Sequence, residues 1–159
     1  MDNFAFAALD NMKQVAPAIN FADGVKHYTV NGVENAVSFN PTDSAFIGAL
    51  YDAFTNLDKQ QDAYRAEVSQ MQDKRKIFDI ARKRDAEMRG VIDGLFGEPV
   101  CSKIFGSMNV YAMADGLPAW ANFMLAIIDE ADATFATEQQ KTNPRIAKYT
   151  EKYKKYENK

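Results

Sequence analysis

The sequence predicts a mixed α+β fold, mostly α: one N-terminal β-hairpin, then a long charged helix and a C-terminal helical region. Three observations carry that expectation. Asn31-Gly32 separates two runs rich in β-branched and aromatic residues, apolar residues recur at helical spacing from Ile47 to Leu95, and a second apolar stripe runs from Trp120 to Phe135. With 159 residues, 47% hydrophobic and 26% charged, the chain suits one core that buries about two-thirds of its unfolded surface without disulfides or metal.

Residues 1–25 form a variable N-terminal segment. Phe4, Ala8, Met12 and Val15 line one side of a short expected helix, ended by Pro17 and followed by a loop through Gly24. The hairpin comes next, from 26 to 39. Asn-Gly supplies the two positive-φ residues of a type I′ turn, which pairs Val30 with Val33 and lets Tyr28, Val37 and Phe39 share a face. A lone hairpin is marginal in water, so it must dock on a helix or on another chain.

Asn40-Pro41-Thr42-Asp43 reads as a helix start, with Asn40 as cap, Pro41 in the first helical position and Asp43 in the first turn. Ile47, Leu50, Phe54 and Leu57 make the apolar stripe, and Tyr64, Val68, Met71, Phe78, Ala81, Met88, Ile92 and Leu95 extend it. The expectation is one long helix ending at Gly97, with Arg75 and Asp85 as polar interruptions of an imperfect heptad. Glu98-Pro99 restarts a short helix that Gly106 stops, and Pro118 opens the helix bearing Trp120, Phe123, Met124, Ile127, Ile128, Ala131 and Phe135. The domain thus spans 26–144, and 145–159 is a basic, tyrosine-containing tail with six basic and two acidic residues.

Charge and cysteine usage narrow the function. With 19 basic and 22 acidic residues the net charge is -3, so the chain as a whole has no electrostatic pull toward nucleic acid. A single cysteine, Cys101, forbids an internal disulfide and fits a reducing compartment, with the cytoplasm as the expected location. The first residues lack the basic start of a signal peptide, and the apolar stretch Leu117 to Ile128 is too short for a membrane span.

Reactive groups are sparse. His27 is the only histidine and has no second imidazole for a metal and no partner in nearby sequence to activate it. Cys101 follows Pro99-Val100 in an apolar turn and reads as a buried, inert thiol. Asp129, Glu130 and Asp132 read as a solvated acidic face, and no Gly-rich phosphate loop occurs. The sequence therefore assigns no catalytic, cofactor-binding or metal-binding residues, and an enzyme is not expected. Lys74-Arg75-Lys76 and Arg82-Lys83-Arg84 are interleaved with acids, Asp79 with Lys83 and Asp85 with Arg89 standing at i, i+4, so a salt-bridged exposed helix is the preferred reading.

Segment order adds more. The hairpin leading into Phe39-Asn40-Pro41-Thr42-Asp43, then Ile77-Phe78-Asp79-Ile80-Ala81-Arg82 and Phe96-Gly97-Glu98-Pro99-Val100-Cys101, resembles a family of small phage and prophage proteins of Gram-positive bacteria. The resemblance continues through Phe105-Gly106-Ser107-Met108-Asn109-Val110-Tyr111, Asp115-Gly116-Leu117-Pro118 and Asn143-Pro144-Arg145-Ile146, covering roughly residues 28–150. Members of that family are similar to tail assembly chaperones of siphophages. The resemblance implies a non-enzymatic helical adaptor that binds tape-measure protein, tail-tube protein or both inside the bacterial host, with no cofactor. A virion structural tail or connector protein shares these features. A nucleic-acid-binding regulator would use the charged helix and the Tyr/Lys tail instead.

The expected partner surface joins the stripe Trp120, Phe123, Ile127 and Phe135, as anchor, to the tail residues Lys148, Tyr149, Lys152 and Tyr153, which steer encounter. The competing reading makes Trp120 and its neighbours plain core. Self-association through the 64–95 seam and the 120–135 stripe is expected as well, with Arg75 and Asp85 setting register between copies.

Overall fold

A computed structural model describes residues 15–157. Strands β1 (Lys26–Val30) and β2 (Val33–Phe39) pair antiparallel, with Val30 opposite Val33 and Tyr28 opposite Val37. The turn is the expected one: Asn31 and Gly32 take φ of 48° and 82°. Four steps along β2 face two along β1, a bulge in which Asn35 adopts φ 51° and Ala36 and Val37 are both fully buried. Valine at Gly32 would meet no atom within 4 Å of its Cβ but must adopt the left-handed conformation. Gly32→Val is therefore expected to lower stability by about 1 kcal/mol; an unchanged midpoint in urea would contradict the turn.

The hairpin docks on helices, as its marginal stability demands. Tyr28 stacks on Phe39, and Phe39 stacks on Phe46 of helix α1 (Ser44–Ser69), each with ring centroids 4.7 Å apart. Helix α1 begins later than the sequence suggests. Asp43, not Asn40, is the cap, its Oδ1 accepting the Ala45 N–H at 3.0 Å. Asn40 instead makes its own turn, accepting the Thr42 N–H and hydroxyl at 2.8 Å each, with Pro41 buried inside it.

The single long helix expected up to Gly97 is two. The chain breaks at residues 70–73 and returns as α2 (Lys74–Phe96), which packs along α1. Asp73 caps α2 by accepting the Arg75 N–H at 3.0 Å, and Gly97 closes it in the left-handed conformation at φ 70°. Arg84 of α2 reaches back to Glu67 of α1, its Nε donating at 2.7 Å. Without glycine or proline at the bend, the cap at Asp73 and the burial gained by doubling back supply the reason for it.

Beyond Gly97 come α3 (Val100–Ile104), a miniature hairpin of β3 (Met113–Ala114) and β4 (Leu117–Pro118), and α4 (Ala119–Gln140). Asp115 and Gly116, at φ 53° and 78°, make the second tight turn. One core joins Val37 and Phe39 of the hairpin, Leu50 and Leu57 of α1, Met88 and Ile92 of α2, Val100 and Val110, and the inner face of α4. The fold is α+β and mostly helical. Helix α5 (Arg145–Glu157) forms from the basic tail. The helix expected at the N-terminus lies mostly outside the described residues; residues 16–25 have no helix or strand, and Val15 is exposed.

Candidate partner-binding surface

The apolar stripe of α4 divides in two. Trp120, Phe123 and Ile127 are 2%, 6% and 6% exposed, so these three proposed anchors belong to the core of the described chain. Trp120 Nε1 donates to Gln61 Oε1 at 2.9 Å, and its ring lies 5.6 Å from Phe54. Phe123 sits between Phe96 and Phe105, at 6.0 and 5.8 Å. The reason is position on the helix: the covered face continues into the last turns through Ala131 and Thr134, 4% and 7% exposed, and Phe135 lies beside that face rather than on it.

Phe135 lies in those last turns and is 46% exposed. Beside it opens a shallow cleft of about 170 Å³, lined by Pro41, Thr42, Ile47, Ala131 and Asp132. Asp129 and Asp132 are exposed along the same helix. Glu130 is half-buried, and its Oε1 accepts the Thr134 hydroxyl at 3.0 Å. The surface around Phe135 is thus apolar at its centre and acidic at its rim.

The tail residues Lys148, Tyr149, Lys152 and Tyr153 all fall in α5. Pro144 and the Asn143 cap, whose Oδ1 accepts the Arg145 N–H at 3.0 Å, start the helix cleanly. Ile146 and Tyr149, three residues apart and on one face, are 79% and 55% exposed. The Arg145 guanidinium and the Lys152 ammonium lie 5.7 and 5.9 Å from the Tyr149 ring centre, so an aromatic surface carries two cations on it. In this geometry α5 and the Phe135 face are separate surfaces rather than one continuous patch.

Of the two seam residues expected to set register between copies, Asp85 makes its contacts within the chain. Asp85 Oδ1 accepts the Val110 N–H at 2.7 Å, and Oδ2 accepts Arg89 Nε at 3.0 Å. Arg89 also donates to the Gly106 and Met108 carbonyls at 2.8 and 2.7 Å, tying the α3–β3 connection to α2. Arg75 is exposed in the first turn of α2. Of the two expected i, i+4 pairs, Asp85–Arg89 forms, whereas Asp79 pairs with Arg82 instead of Lys83. Met88 and Ile92 are fully buried inside the chain, which removes the middle of the seam from any surface.

His27 is exposed, and its Nδ1 lies 2.6 Å from Ser38 Oγ across the hairpin. Strand pairing brings these residues together, so local sequence could not show the contact; the register implied by Val30 opposite Val33 is the signal that approaches it. Cys101 is 1% exposed; burial first, then the hydrogen bond its thiol donates to the Asp93 carboxylate, pushes that thiol well above the ordinary range. Among the described residues, no group of three or more His, Cys, Asp or Glu side chains is arranged to hold a metal ion. No helix among them is long and apolar enough to cross a membrane.

No family model, curated protein or solved structure matches this chain. The functional reading therefore stands on its surfaces. Of the residues the sequence expects at a partner surface, Phe135, Lys148, Tyr149 and Lys152 are exposed; the cleft was not legible because Pro41, Ile47 and Ala131 meet only once the chain has folded.

Proposed function

We propose that the chain is a non-enzymatic tail assembly chaperone of the siphophage type, acting in the cytoplasm of a bacterial host. Its clients are tape-measure protein, tail-tube protein or both. The single observation that supports this reading is helix α5: it presents Ile146 and Tyr149 to solvent, flanked by Arg145, Lys148 and Lys152. Such a helix fits a client with an apolar groove and acidic rim. The Phe135 face offers a second, acidic-rimmed contact for a helical client.

Deletion of residues 145–159 tests the reading. The truncated chain is expected to retain its melting midpoint, because none of the described side chains of α5 belongs to the buried core. Capture of co-expressed tape-measure protein is expected to fall about tenfold at low salt, with a smaller loss at high salt, where steering by lysine is already screened. Undiminished capture, or unfolding of the truncated chain, would refute the assignment. Retention of full-length protein at stoichiometric levels in purified virions would favour the structural reading instead.

A further inference from the structure

We infer that α5 is a strap poised to close: the structure holds it apart from α4, and in solution it folds back along α4 of the same molecule, seats Tyr149 against Phe135 and the adjoining cleft, and covers the Phe135 face until a partner displaces it. Three independent features lead there. The first is length, because only the four residues Lys141–Pro144 separate α4 from α5, and connections of 2–5 residues are those that join antiparallel helices.

The second is register. Phe135 lies about 7.5 Å of helix before Gln140, and Tyr149 lies about 6 Å after Arg145, so folding back at the linker brings the two rings level. Asp132 and Lys152, at about 12 and 10.5 Å from the same ends, come level one turn further on. On each helix the apolar and charged members of the set are three residues apart and share a face. The match is therefore simultaneous, not a choice between contacts.

The third is charge and exposure. The receiving face is apolar with Asp132 at its edge and Asp129 further along, and the strap is apolar with Arg145, Lys148 and Lys152 around it. Phe135 at 46%, Ile146 at 79% and Tyr149 at 55% exposure are apolar or aromatic groups left uncovered on the two helices. A short flexible link holds the strap at an effective concentration in the millimolar range, above that of an unlinked partner in dilute solution. The closed form hides both surfaces assigned above to client binding, so its regulatory meaning rests on that assignment; the closure itself does not.

The test uses the free full-length protein and needs no client. Amide resonances of the full chain and of the 1–144 truncation are expected to differ at Ile47, Ala131, Asp132 and Phe135, with the difference independent of protein concentration. Asp132→Lys in the full chain is expected to reduce the closed population about fivefold, and adding Lys152→Asp to it to restore closure. Melting midpoints confirm that each variant remains folded. Identical spectra for full and truncated chains, a difference that disappears on dilution, or no response to charge reversal would each overturn the strap. Failure of client capture with intact closure would instead sink only the chaperone reading.

Discussion

Replacing Trp120 with alanine is expected to cost the fold about 3–5 kcal/mol, the range for deleting a large buried aromatic side chain. Trp120 is 2% exposed, stacks obliquely on Phe54 and donates its indole N–H to Gln61, itself 8% exposed. Truncation removes the ring and leaves the Gln61 carbonyl without that donor. Trp120→Phe should cost less, separating the hydrogen bond, worth about 1 kcal/mol, from the packing. Phe135→Ala, at a half-exposed position, should move stability by only about 0.5 kcal/mol. Chemical denaturation of the three variants checks the ordering. A folded, fully stable Trp120→Ala protein that loses client capture would return Trp120 to the role of surface anchor.

Asp85→Ala carries the second large effect, about 3 kcal/mol. The substitution strips the acceptor from the Val110 N–H, whose residue is fully buried, and leaves the Arg89 guanidinium without its carboxylate in a site where both side chains are about one-fifth exposed. Arg89 keeps its two carbonyl partners at Gly106 and Met108, so the loss should fall mainly on the segment from Val110 to Trp120. Hydrogen exchange read by mass spectrometry should show that segment deprotected before α1. Asp85→Asn, which preserves a neutral acceptor, should lose less. A cost below about 0.5 kcal/mol for Asp85→Ala would mean that the network contributes nothing net.

The parts legible in sequence were those set by local chemistry. Asn31-Gly32 announced its turn because few other dipeptides tolerate two positive φ values, and Gly97 and Pro144 marked helix boundaries for equally local reasons. Asp115-Gly116 carried the same turn signal, obscured by flanking strands only two residues long. The bend at 70–73 was hidden because apolar spacing runs on through Met71 and no breaker interrupts it; only the capping capacity of Asp73 distinguished it. Burial along the α4 stripe was illegible for another reason. Periodicity identifies which side of a helix is apolar, but whether Trp120 or Phe135 is covered depends on which distant elements the fold lays over each of them. Asp85 likewise looked like a flaw in a heptad until the Val110 N–H, 25 residues away, came within reach.

The placement of α4 after the other core elements bears on how the chain is made. Leu50, Leu57, Met88 and Ile92 lie on α1 and α2, which can pair as soon as residues up to 96 have left the ribosome, yet the Trp120–Ile127 half of α4 completes their cover. At about 5–20 residues per second, translating the stretch from Gly97 to Gln140 takes roughly 2–9 s. Until α4 has emerged, the helical pair lacks the layer that covers it in the finished fold. The pace of translation thus sets how long each new molecule depends on the cell's folding helpers, and a pause before α4 is complete lengthens that dependence.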